Sequence, residues 1–162
     1  MRRTLPMLLL ILAMPHAGLA SSFTEPGAEP AVDLSSHEGK VVYLDFWASW
    51  CAPCQQSFPW MIELQQRLAE RGLVVVTVNV DRDRVKADRF LEKVRSELPV
   101  IYDPDGKLAA AYELEAMPSS FLYGRDGRLV SIHAGFHKDG IDAVEAEILE
   151  LLEKESGDAQ TP

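Results

Sequence analysis

Residues 41–54 constrain this chain more than any other stretch. Val41-Val42-Tyr43-Leu44-Asp45-Phe46-Trp47 is an almost unbroken apolar run, the pattern of a strand buried on both faces, as in a parallel sheet. Trp50-Cys51-Ala52-Pro53-Cys54 follows, and Phe58, Met61, Ile62, Leu64 and Leu68 then recur at helical spacing. The two cysteines of the chain therefore stand where a buried strand gives way to an amphipathic helix. A helix start presents unbonded N–H groups and a partial positive charge, and both stabilise a thiolate. Such sites lower a cysteine pKa from about 8.5 to somewhere between about 3.5 and 7.5. Pro53 falls in the first turn, where its missing N–H costs nothing.

With two residues between them, the sulfurs lie within disulfide reach across one helical turn. Cys51, nearer the helix tip, is expected to attack a substrate disulfide; Cys54, one turn deeper, is expected to resolve the mixed disulfide. One alternative is a purely structural disulfide, although so small a loop constrains the unfolded chain little. Another is a metal-binding module in which the pair holds soft Cu(I) with help from His133 and His137. On a strand those histidines would be roughly 13 Å apart at about 3.3 Å per residue, too far to share an ion unless Gly135 bends the chain.

The remaining segments alternate. Leu73–Val80 reads as a second β-branched strand, with Gly72 closing the helix before it. Asp83–Glu97 reads as a helix carrying Val85, Phe90, Leu91 and Val94 on one face. Pro99–Tyr102 reads as a short strand closed by Asp103-Pro104-Asp105-Gly106, followed by a turn or two of helix over Leu108–Tyr112. Ser120–Tyr123 and Leu129–Gly135 flank Gly124-Arg125-Asp126-Gly127 as an antiparallel hairpin. Ile141, Val144, Ile148 and Leu151 line a terminal amphipathic helix with an acidic outer face. Strand–helix alternation followed by a hairpin predicts an α/β fold with one mixed sheet, parallel at its centre and flanked by helices on both faces.

Arg2 and Arg3 precede an apolar run from Leu5 to Ala13, broken by Pro15 and followed by Gly18-Leu19-Ala20. That is the form of a cleavable export signal over residues 1–20, and the run is short of the roughly 20 apolar residues a membrane span needs. A retained N-terminal anchor is the alternative. Export would place residues 21–153, the expected single domain, in the periplasm, where disulfides persist; residues 154–162 read as a polar tail. The 162 residues carry 16 basic and 25 acidic side chains, a formal net charge of −9. That sign and the lack of a basic stripe argue against nucleic acid as a partner.

The segment Asp45-Phe46-Trp47-Ala48-Ser49-Trp50-Cys51-Ala52-Pro53-Cys54 resembles the active-site segment of thioredoxins, and the resemblance continues through Pro59 and through Met117-Pro118-Ser119-Ser120-Phe121-Leu122. The stretch between Asp81 and Met117 is longer than in a thioredoxin by about a helix and a strand, as in exported TlpA/ResA-like thiol–disulfide oxidoreductases. The resemblance implies a thioredoxin-like fold with this insertion ahead of a cis-proline at Pro118. It implies that Asp45 is the buried carboxylate exchanging a proton with Cys54. Trp50, Ala52, Pro53, Met117 and Pro118 would form the surface that meets substrate. The implied activity is reduction of disulfides in envelope proteins, with no cofactor and with a membrane protein as electron donor; a net oxidase or isomerase is the other direction. Ser57 stands where many reductive relatives carry a glutamate, which puts the proton-accepting role on Asp45 alone.

Overall fold

The computed structural model describes residues 32–154. The expected export signal and most of the polar tail lie outside them. Five strands form one sheet: β1 (Val41–Trp47), β2 (Leu73–Asn79), β3 (Val100–Tyr102), β4 (Ser119–Tyr123) and β5 (Leu129–Ala134). Their spatial order is β3-β2-β1-β4-β5. β1 pairs with β2 in parallel and β2 with β3 in parallel, while β1–β4 and β4–β5 are antiparallel. β1 is thus central, and all seven of its residues are buried. Neighbours on both edges, with helices above and below, are what its apolar run requires.

Alternation along β1 divides the core. Val41, Tyr43 and Trp47 pack with residues of α1 (Ala52–Leu68), α2 (Arg84–Val94) and α4 (Ile141–Lys154). Val42, Leu44 and Phe46 face the other way, where the short α3 (Lys107–Ala111), Tyr112 just after it and the segment at Val32 and Leu34 join Val76, Val78, Phe121 and Tyr123. Asp45 follows the odd-numbered residues and so points toward the layer that holds both cysteines.

The helices differ from the sequence reading in detail. α2 ends at Val94 because Arg95 adopts a left-handed conformation (φ 54°) and its N–H bonds back to the carbonyls of Glu92 and Leu91. Its inward residues are Ala87 and Phe90, with Leu91 and Val94 beside them. Val85 is exposed instead, since two residues before Ala87 places it on the opposite side of the helix. In α4 it is Leu152 that is fully packed, with Leu151 only partly buried. Gly72 does close the first helix, at φ 101° after a single 3-10 turn.

Candidate active site

Cys51 is the N-cap of α1, in extended conformation (φ −83°, ψ 107°), and its sulfur accepts the backbone N–H of Cys54 at 3.2 Å. Ordinary N-caps supply an oxygen to this bond. Here the sulfur occupies that position, so the donor that caps the helix is the donor that would hold a thiolate. Cys51 and Cys54 are joined as a disulfide, with Cα atoms 5.3 Å apart. Cys51 keeps 5% of its surface exposed and Cys54 none. Only the first sulfur is therefore open to an incoming partner.

The loop that delivers Cys51 is pinned from beneath. Asp81, just past the end of β2, accepts the Ser49 backbone N–H at 2.8 Å and the Ser49 hydroxyl at 2.9 Å. Asn79 donates to the same carboxylate at 2.8 Å and accepts the Asp81 N–H at 3.1 Å. Gln55, one turn into α1, donates to the Ser49 carbonyl at 3.0 Å. Asn79 and Asp81 escaped the sequence reading. The available signal was an Asn and an Asp closing an otherwise apolar strand, the end of a parallel strand where loops and sites gather.

Around the disulfide, Trp50 is 68% exposed, and Ala52 and Pro53 are also open to solvent. Met117 is half-buried against the cluster holding the cysteines; the Met117–Pro118 bond is cis, and Pro118 itself is buried. The Pro118 carbonyl accepts the Gly135 N–H at 2.7 Å, which ties the end of β5 to the start of β4. Trp47 is wholly buried against Phe58 and Phe90, with ring centroids 4.8 and 5.0 Å away. It is packing.

Asp45 is 1% exposed, and burial pushes its carboxyl well above the usual range; the Ser120 side chain, directly across the β1–β4 pair, partly offsets this. Its Oδ2 has no hydrogen-bond partner among the described residues. A buried carboxyl raised in this way holds a proton more readily than an exposed one, the property a proton acceptor needs. Ser57, where a glutamate was the alternative, is buried and donates to the Cys54 carbonyl at 3.0 Å, a local helix bond that moves no proton to or from a sulfur.

Gly135 (φ 79°) turns the chain after β5, between the two histidines. His133 and His137 both line a cavity beside α4 whose walls include neither cysteine. His133 Nε2 lies 3.2 Å from a Glu147 carboxylate oxygen. Among the described residues no three metal-ligating side chains gather at one point, and no helix is long and apolar enough to cross a membrane.

Residues 17–149 match the Redoxin family. The thiol-disulfide oxidoreductase ResA of Bacillus subtilis (strain 168) is 32% identical over 104 residues, covering 64% of this chain and 58% of the Bacillus protein. ResA of Geobacillus thermodenitrificans (strain NG80-2) is 30% identical over 149 residues, covering 82% of this chain and 86% of that protein. A crystal structure from Chlorobium tepidum, provisionally assigned as the thiol:disulfide interchange protein DsbE, superposes with a TM-score of 0.72 at 44% identity. It covers 82% of this chain and 94% of its own. StoA of Bacillus subtilis, at 23% identity and a TM-score of 0.58 over 67% of this chain and 82% of its own, shares the fold.

Proposed function

This chain belongs to the redoxin family, in the TlpA/ResA-like branch of the thioredoxin superfamily, and we propose that it is an exported thiol–disulfide oxidoreductase that reduces disulfides of other envelope proteins. The observation that carries the proposal is the placement of Cys51 as N-cap of α1, its sulfur accepting the Cys54 N–H. A thiolate at that point gains a charge-assisted hydrogen bond and the helix dipole together.

The cycle starts from the dithiol. The Cys51 thiolate attacks one sulfur of the substrate disulfide; an S–S bond forms to Cys51, and the substrate's other sulfur leaves as a thiolate that takes a proton from solvent. Asp45 accepts the Cys54 proton, and the Cys54 thiolate attacks the Cys51 sulfur. The mixed disulfide breaks and the second substrate sulfur departs. Two electrons have passed to the substrate, and the Cys51–Cys54 disulfide, the state seen here, awaits a membrane donor. Trp50, Ala52 and Pro53 surround the attacked sulfur, and Met117 and Pro118 offer an extended substrate segment a backbone to lie along.

Replacing Cys51 by Ser should abolish turnover, and replacing Cys54 by Ser should trap substrates as mixed disulfides. Full activity of the Cys51 variant would end the proposal. Direction is read by equilibrating the protein against glutathione mixtures. Potentials in this fold range from about −270 mV for thioredoxin to about −120 mV for a strong oxidant, and a value well above about −180 mV would reverse the assignment to an oxidase.

A further inference from the structure

Behind the active site, a line of hydroxyl groups leads away from Asp45. Ser120 lies directly across the β1–β4 pair from Asp45 and is the neighbouring side chain that partly offsets the effect of burial on the Asp45 carboxyl. Its Oγ lies 2.6 Å from the Tyr43 phenolic oxygen, a short contact in which either atom can donate. Tyr43, two residues from Asp45 on the same face of β1, also lines the cavity beside α4, of about 370 Å³, together with Trp60, His133, Phe136, His137 and Glu147. The Ser120 and Tyr43 hydroxyls thus lie between the buried carboxyl and this cavity, whose walls do not include Cys51.

We propose that Ser120 and Tyr43 form a proton relay through which Asp45 exchanges its proton with solvent in the cavity between β5 and α4. The inference rests on the reading of Asp45 as proton acceptor for Cys54. A hydroxyl can accept and donate at once. When Asp45 loses its proton, Ser120 Oγ takes it and passes its own to the Tyr43 oxygen, and the Tyr43 proton goes out to the cavity. Each hydroxyl gains one proton and yields one, so neither ionises. Burial and the nearby charges of Asp45 and Glu147 push the Tyr43 phenol far above its ordinary range, which suits a carrier that never holds a charge. Among the described residues, the titratable groups around Tyr43 are Asp45 from β1, Glu147 from α4 and His133 from β5, with His137 beyond the turn. From α1 the Trp60 ring meets the Tyr43 ring edge-on at 5.7 Å. Glu147 is 3.2 Å from the His133 imidazole, and both line the cavity that Tyr43 also borders.

The relay predicts a memory of pH. Reduced protein is held below about pH 5, then mixed in one step with a disulfide peptide at about pH 8, and formation of the Cys51–Cys54 disulfide is followed by tryptophan fluorescence. A second sample is equilibrated at the higher pH beforehand. For the wild type the two traces should coincide. For Tyr43→Phe, which keeps the ring against Trp60, and for Ser120→Ala, the acid-held sample should lag by about tenfold or more, part of the 10²–10⁴ that general base catalysis typically supplies. Asp45→Asn should slow both traces equally, and adding Tyr43→Phe to it should change nothing further. Coincident traces for Tyr43→Phe and Ser120→Ala, with Asp45→Asn still slow, would overturn the relay alone. An unslowed Asp45→Asn would overturn the Asp45 reading and the relay with it. A merely structural role for either hydroxyl would shift both traces of its variant together and show no lag, which likewise ends the relay.

Discussion

Asp81 holds Ser49 with both carboxylate oxygens, one on the backbone N–H and one on the hydroxyl, across 32 residues of sequence. The clamp sets the path of the loop on which Trp50 and Cys51 ride.

Asp81→Ala should therefore loosen the site. It strips partners from two Ser49 donors and from the Asn79 amide, groups that each lose about 1.5–3 kcal/mol when a charged acceptor disappears, though water recovers part of this. A net loss of about 2–4 kcal/mol in unfolding free energy is expected by urea titration, and less for Asp81→Asn. An Ala variant within about 0.5 kcal/mol of wild type would show that the clamp holds nothing.

Asp45 makes stability depend on pH in an unusual direction. Its carboxyl is raised in the folded protein, so the folded state keeps a proton that the unfolded chain releases near pH 3.9. Folding thus binds a proton, and stability falls as pH rises from about 4 through the raised folded value. Asp45→Asn has no charge to bury. It should be more stable than wild type by about 1–3 kcal/mol at about pH 8, the range for burying an uncompensated polar group. The gap should close below about pH 4, in thermal melts across that range.

Trp50 is available for recognition and contributes little to folding, being 68% exposed. Trp50→Ala should leave the denaturation midpoint unchanged within the roughly 0.5 kcal/mol typical of surface changes. Its effect should appear as a higher KM for protein disulfides, with a small-molecule disulfide reduced almost as before. Equal losses on both substrates would assign the indole to the chemistry instead of to docking.

Phe58 sits between Trp47 and Phe90, with centroids 4.8 and 4.9 Å away. Phe58→Ala empties the layer directly beneath the cysteines, and truncations of this type cost about 3–5 kcal/mol. Chemical denaturation will read that loss. A cost under about 1 kcal/mol would mean that neighbouring side chains collapse into the space.

Much of the fold is legible without coordinates because its signals are short-range. The apolar run at residues 41–47, the helical spacing from Phe58 to Leu68 and the Gly72 stop each lie within one element. The hairpin around Gly124–Gly127 is equally local. Where the reading slipped, neighbouring turns offered two faces of similar apolarity. Val85 could join Phe90 on paper, but packing against Trp47 selected Ala87 and Phe90. Likewise His133 and His137 separate on an ideal strand, whereas the chain turns at Gly135 (φ 79°) and both line one cavity.

The order of residues was enough to set a dithiol at the head of a helix beneath a buried strand, since hydrophobic period and turn chemistry act over a few positions. It could not say that Asp81 would grip Ser49, or that Ser120 would meet Tyr43 from 77 residues away. Those contacts exist because β1 takes β2 on one side in parallel and β4 on the other in opposite sense, in a register that lays Ser120 across from Asp45. Register is a property of the assembled sheet, fixed by which faces can be buried together, and the surroundings of the Asp45 proton were decided there.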